Sequence, residues 1–320
     1  MFRTISTMFA VTVMAAAIST TAVAQGYPHK NVTLVTHSKA GGGTDVFLRE
    51  MTKHLGAVMG VNFVVENVRG GSGAKAIAKL ATSPADGSIF YGTTPTFINT
   101  SLLADLQYTY KDMEGVVNVF LDPQIVYVRA DSPHKDLKAL VDAALKDPKS
   151  IRFGVTTPGS LDRQVMEKFK VLTGVSSPIV THDGGGELLI SVLNGTVSAG
   201  IGEIQELSAQ LEAGEVRLIA TYTKNRLDTF PDVATAREQG IDLVINKFRG
   251  IAGPKGLPDN IKAAWLKGIN DVLAVPEFKA WYTAQSLVPT VMASDEYNKF
   301  LNDFAAEQKE FFVKYNITKD

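Results

Sequence analysis

The sequence predicts an α/β protein of two lobes with a cleft between them and a hinge of two crossing segments, and three observations predict it. Short β-branched or aromatic runs alternate with longer helical patterns, a βαβ rhythm that argues for mostly parallel sheets covered by helices on both faces. The rhythm runs twice, over residues 32–91 and again over 125–222, and 320 residues suffice for about two domains, each with its own core. Two strand-like stretches, 124–129 after Asp122-Pro123 and 246–253 before Pro254, stand where the chain would leave the first unit and return to it.

In order, the first unit reads strand 32–36, helix 44–59, strand 63–66, helix 72–80 and strand 89–91. The second reads strand 125–128, helix 137–145, strand 151–155, helix 161–172, strand 178–180, helix 187–194, strand 199–201, helix 204–213 and strand 216–222. The tail reads as three helices, 259–273, 277–285 and 294–313, with no strand between them, and is expected to complete the first unit. The expected division is a leader over 1–24, a first lobe of 25–124 with 250–320, and a second lobe of 125–249.

The leader carries Arg3, an apolar run over 8–18 and the small-x-small signal Ala22-Val23-Ala24 before Gln25. That is the pattern of a secretory signal peptide cleaved after Ala24. The apolar run is shorter than the roughly 20 residues a membrane span needs, so an exported, periplasmic chain is expected. The absence of cysteine suits that compartment and removes thiol nucleophiles, Cys-ligated metals and disulfides. With 32 Lys+Arg against 33 Asp+Glu the chain has no field to hold a polyanion, so nucleic acid is not an expected partner.

The candidate binding residues lie in glycine-rich turns between strands and helices. The first is Ala40, Gly41, Gly42, Gly43, Thr44 and Asp45; the second, in the other lobe, is Asp183, Gly184, Gly185, Gly186 and Glu187. A third runs from Gly154 through Thr157 to Ser160, and Thr93 stands in a turn that follows strand 89–91. Helix N-termini expose unpaired N–H groups and the positive end of the helix dipole, so such turns favour anions. In an open α/β sheet they gather where ligands bind. One such turn is ordinary tight-turn geometry; a GGG turn with an acidic helix start in each lobe is a stronger signal. Asp45 and Glu187 serve equally well as caps of their own helices. Arg69, beside Gly70 to Gly73, offers a bidentate donor to a carboxylate, and Phe248 and Arg249 stand at the second crossing.

The ordered set Tyr27-Pro28, Ala40 to Asp45, Val64-Val65-Glu66-Asn67, Ala85-Asp86-Gly87, His182 to Glu187, Asn194-Gly195-Thr196-Val197, Phe230-Pro231-Asp232-Val233-Ala234-Thr235 and Ile251-Ala252-Gly253-Pro254 resembles the substrate-binding receptors of tripartite tricarboxylate transporters, the Bug-type extracytoplasmic solute receptors. The likeness covers nearly the whole chain after the leader. It implies a type II periplasmic binding fold that closes on a small organic acid, by default a di- or tricarboxylate. It also implies delivery of that acid to a membrane complex of one large and one small subunit, with the receptor a monomer. In such receptors the ligand's proximal carboxylate is held by the first glycine-rich turn and its counterpart in the second lobe, partly through water, which carries over to Ala40 to Asp45 and Asp183 to Glu187. Thr93, Thr157 and Ser160 stand where the far end of the ligand would be selected. Lys39-Ala40 and Leu161-Asp162-Arg163 depart from the common pattern of a proline and a histidine at those places.

Two rival functions remain at this level. A receptor that presents its ligand to a sensor kinase shares every feature above. A secreted hydrolase lacks support: no G-x-S-x-G elbow, P-loop, dinucleotide fingerprint or H-E-x-x-H pair occurs. The five histidines show no short metal-ligand spacing. No catalytic residue, cofactor or metal is expected.

Overall fold

The computed structural model describes residues 27–317, without the side chain of Asn246. The signal peptide expected over residues 1–24 and its cleavage site lie outside the described residues, among which no helix is long and apolar enough to cross a membrane.

The chain opens with β1 (Asn31–Thr36), α1 (Gly43–Met59), β2 (Asn62–Asn67), α2 (Ala74–Ala81), β3 (Ile89–Thr93) and α3 (Pro95–Leu103), and then β4 (Met113–Pro123). A second set follows: β5 (Ile125–Arg129), α4 (Leu137–Lys146), β6 (Phe153–Val155), α5 (Leu161–Thr173), β7 (Ile179–Thr181), α6 (Gly185–Leu193), β8 (Ala199–Gly202), α7 (Ser208–Glu212) and β9 (Val216–Thr221). It closes with β10 (Asn246–Pro254), α8 (Asp259–Leu273), α9 (Pro276–Ala284), β11 (Val288–Ala293) and α10 (Ser294–Lys314).

These strands form two sheets, β11-β4-β10-β3-β1-β2 and β7-β6-β8-β5-β9. Strand alternation puts neighbouring side chains on opposite faces. Leu34 joins one core with Phe47, Leu48 and Met51 of α1 and Trp265 of α8, while Val35 joins another with Ile77, Phe97 and Tyr297. The second sheet repeats the plan: Val126 and Val128 face Leu140, Val165 and Phe169, and Ile125 and Tyr127 face Leu188 and Val192. Each of these large side chains contributes about 1.5–3 kcal/mol by leaving water, so both lobes hold a core of their own.

Both sheets are parallel at one end and antiparallel at the other, which differs from the mostly parallel sheets expected. β1 runs parallel to β2 and β3, and β6 parallel to β7 and β8. β10 is antiparallel to β3 and β4, and β5 antiparallel to β8 and β9. The hinge is the reason. The chain leaves along β4, passes Gln124 and enters the second sheet as β5; it returns as β10, with Asn246 opposite Pro123. A returning strand laid beside the departing one runs the opposite way. β10 therefore pairs within the first sheet from Asn246.

Three elements were not expected. α3 begins right after Thr94, whose hydroxyl accepts the Thr96 N–H as its cap, with Pro95 in the first turn. β4, eleven residues long, lies in the first sheet between the edge strand β11 and β10. β11 separates the last two helices and forms the sheet edge, where proline is tolerated, and its register on β4 shifts between Pro289 and Met292. α10 then lies on the first lobe through Tyr297 and Leu301 and touches the second, where Lys168 Nζ stands 4.8 Å from the Phe311 ring centroid.

Candidate functional site

The first glycine turn joins β1 to α1. Gly41 takes a left-handed conformation, φ 81°, that side chains disfavour, and its N–H donates to Asp45 Oδ2 at 3.0 Å. Although burial pushes its carboxyl up, hydrogen bonds from Arg49, Gly41 and Asn67 hold Asp45 below its ordinary value. The second turn joins β7 to α6 by the same device: the Asp183 N–H donates to Glu187 Oε2 at 3.0 Å. Asp45 and Glu187 thus act as anions for their own turns.

The turns meet across the cleft. Arg69 of the first lobe pairs with Asp183 of the second, and Lys39 Nζ stands 3.8 Å from Glu187. Between the lobes lies a cavity of about 30 Å3, lined by Ser38, Gly42, Gly43, Thr44 and Thr94 on one side and Thr156, Thr157, Asp183 and Gly184 on the other, with Glu203, Glu206 and Lys247 at its base. A space of about 200 Å3 adjoins it past His37, Thr157 and Asp183, reaching Arg69 and Gly70 to Gly73. The lobes are therefore closed.

Of the residues expected at the site, the cavity lining gathers Gly42, Gly43, Thr44, Thr157, Asp183 and Gly184. Ala40, Gly41, Asp45, Gly186 and Glu187 belong to the same turns but stand outside that lining, whereas Gly185 packs against the Glu206 carboxyl. Thr93 turns into the core, its hydroxyl 2.6 Å from Tyr297 Oη, and the next residue, Thr94, lines the cavity instead. Ser160 caps α5, its Oγ accepting from the Arg163 N–H at 3.1 Å. His37 contacts Tyr91 Oη, and burial with the nearby Lys247 and Arg249 charges pushes its pKa down to about 3, so it meets a guest as a neutral ring. His182 is held by the Val155 carbonyl and Ser191. Phe248 packs among Phe97, Tyr297 and Phe304.

Of the charged groups at the base, Arg249 was singled out from the sequence at the second crossing, whereas Lys247, Glu203 and Glu206 were not. Arg249 is fully buried and its Nε donates to Asp122 Oδ2 at 2.5 Å, with Glu203 Oε2 3.3 Å from its Nη2. Lys247 pairs with Glu203 and stands 3.5 Å from Asp162. Gln124, the single residue between β4 and β5, donates to Glu203 Oε1. Burial pushes both Asp122, to about 6, and Asp162 upward, whereas Lys247 and Arg249 outweigh burial at Glu203 and hold it down. Glu206 accepts the Gly43 N–H at 2.7 Å, and burial with the Glu203 charge pushes it up to about 8. A signal for this network is present in the sequence: Lys247 and Arg249 alternate with Phe248 in an otherwise apolar strand, so both charges share one face.

Another groove, about 280 Å3, runs outside the cavity along Thr100, Leu103, Pro158 and Phe312. Its charged residues Arg163 and Glu167 pair with each other at 2.8 Å, so it offers no spare cation to an acid.

A profile described as "Tripartite tricarboxylate transporter family receptor" matches residues 47–317. Protein BugT of Bordetella pertussis is 25% identical over 295 residues, covering 90% of each chain. Among solved structures, Rpa4515 of R. palustris with adipate superposes with a TM-score of 0.86 at 24% identity, covering 91% of this chain and 98% of that one. MatC from Rhodopseudomonas palustris with bound malate gives 0.82 at 21%, covering 89% and 99%. At these identities the structural likeness speaks for the fold: two lobes of the periplasmic-binding type.

Proposed function

Because the chain belongs to the tripartite tricarboxylate transporter receptor family, we propose that it is an exported, monomeric receptor that captures a small organic acid between its lobes and hands it to a membrane complex of that transporter type. The observation that carries this reading is the convergence of two glycine-rich helix N-termini, from opposite lobes, on one enclosed polar cavity. Acids of the size of the adipate and malate carried by the two R. palustris proteins are the first candidates.

In this mechanism the lobes are those bounded by the crossings at Gln124 and Asn246, and the open form is the resting one. A guest is met by Ala40 to Asp45 and Thr94 from one side and by Thr157 and Asp183 to Glu187 from the other. Only the closed form offers both sets, so the guest shifts the population toward closure by its differential affinity. Charge-assisted hydrogen bonds, about twice as strong as neutral ones, supply affinity, and water bridges complete the contacts. The activity is binding, with no chemical step.

The test is a thermal-shift and calorimetric screen of the chain from Gln25 against small organic acids. A true ligand raises the melting temperature, because it stabilises only the folded form, by about 2.7 kcal/mol at a hundred times its Kd. If no acid shifts the melting curve, or if an acid binds and a structure of the complex puts it away from both glycine turns, the reading is wrong.

A further inference from the structure

The two glycine turns already converge on a carboxyl group, and it is the chain's own. Glu206 accepts the Gly43 N–H, and a side chain started at Gly185 would fall 2.1 Å from the Glu206 carboxyl carbon. Glycine at both positions leaves the room this carboxyl occupies. The cations around it are already engaged: Lys247 with Glu203 and Asp162, Arg249 with Asp122 and Glu203. Four carboxyl groups, three of them buried and Glu206 partly so, thus share two cations, and Glu206 forms no ion pair with either. The other charged side chain of the cavity lining, Asp183, is paired with Arg69, and His37 is neutral. Tyr127 packs below from β5 and brings no charge.

An incoming second carboxylate would place its negative charge against Glu203, beside a Glu206 carboxyl that is uncharged and offers it no cation, where like charges repel. A protonated nitrogen there draws Glu206 into its ionised form and pairs with it. We propose that Glu206 is the charge-selecting residue of the cleft and that the preferred guest carries a cationic nitrogen as well as a carboxylate. The nitrogen faces Glu206, and the carboxylate faces Lys247 and the hydroxyls of Ser38, Thr94, Thr156 and Thr157. This rests on the small-acid reading above. The groups facing Glu206 are Glu203, Asp162, Lys247, Arg249 and Tyr127; because burial and the Glu203 charge keep its carboxyl largely protonated at neutral pH, a bound ammonium ionises it and releases a proton.

The experiment is calorimetry on the chain from Gln25 with matched guests: succinate against aspartate and 4-aminobutanoate, adipate against 2-aminoadipate and 6-aminohexanoate. Expected is a preference of at least about tenfold for an aminated member over its parent diacid, with proton release read as a dependence of the binding enthalpy on buffer ionisation. Glu206→Gln should reduce that preference to within about threefold and abolish the proton release. The preference and the proton release are read on the unaltered chain, so the test stands even if Glu206→Gln fails to fold. Parent diacids that bind as tightly as their aminated partners, or more tightly still after Glu206→Gln, overturn the proposal and make Glu206 a placeholder that a guest carboxylate displaces. If neither kind of acid binds, the small-acid reading fails as a whole.

Discussion

The two glycine turns are built alike and embedded differently. Each follows a parallel strand, opens a helix, and gives one turn N–H to an acidic side chain four residues on. The Asp45 side chain is 4% exposed, however, and that of Glu187 is 43% exposed. A side chain started at Gly43 would fall 2.5 Å from Arg249 Nη2 and 3.0 Å from Glu203 Oε2, whereas at Gly185 it would meet only the end of Glu206. The first turn is locked to the hinge ion network, and the second rests on one flexible carboxyl. The same local motif therefore serves as a fixed wall in one lobe and an adjustable one in the other.

Four variants or conditions break or sharpen that contrast. The largest effect is expected from Arg249→Met, which leaves Asp122 buried without its cation; loss of one partner of a buried pair costs about 3–5 kcal/mol, read by urea unfolding. Next, Gly43→Ala should cost about 2–3 kcal/mol by overpacking against Arg249, while Gly185→Ala should cost less than about 1 kcal/mol in stability because Glu206 can swing away. Gly185→Ala should still weaken guest binding sharply. Equal destabilisation by the two alanines would erase the distinction between the turns.

The third is a pH effect. Glu206 titrates near 4.5 when unfolded and near about 8 when folded, so the folded state holds the extra proton between those values. Its contribution is complete below 4.5 and is lost as pH rises to about 8. His37, neutral in the fold down to about 3 and half-protonated in the unfolded chain at 6.5, offsets part of that loss near 6.5 and less above it, while Asp122, half-ionised at about 6, adds to the loss just above its own value. The melting temperature should therefore fall between 6.5 and about 8, and Glu206→Gln should flatten that fall. A fall of equal size in Glu206→Gln would assign it elsewhere. The smallest effect is expected from Arg69→Ala: the pair with Asp183 is exposed and is worth at most about 1 kcal/mol. Its loss should show as weaker guest-induced closure in small-angle scattering, with the ligand-free form and unfolding little changed.

The βαβ rhythm was legible because the parallel strands carry short β-branched or aromatic runs, as in β1 and β3, and the helices between them keep a spaced apolar stripe, as Phe47, Leu48, Met51 and Leu55 do in α1. The glycine turns were legible because Gly41 takes a left-handed bend that few other residues suit, and because Gly43 and Gly185 leave room for groups that a side chain would displace. β4 and β11 were not: Gly115, Asn118 and Asp122 interrupt the first, and Pro289 the second, and both owe their pairing to β10 and to each other. Thr93 and Thr94 show the same limit at a single step, since alternation sends one hydroxyl to Tyr297 and the other to the cleft.

Local sequence alone determined the two α/β units, the two crossings and the glycine turns at the helix starts, because these depend on periodicity and backbone freedom within a few residues. Tertiary structure alone decided what those turns enclose. Asp122, Asp162, Glu203, Glu206, Lys247 and Arg249 come from β4, the start of α5, the turn after β8, and β10, and the packing of both lobes buries all of them but Glu206, which is partly buried. Charge pairing inside a protein depends on distance in space, and the sequence records distance along the chain.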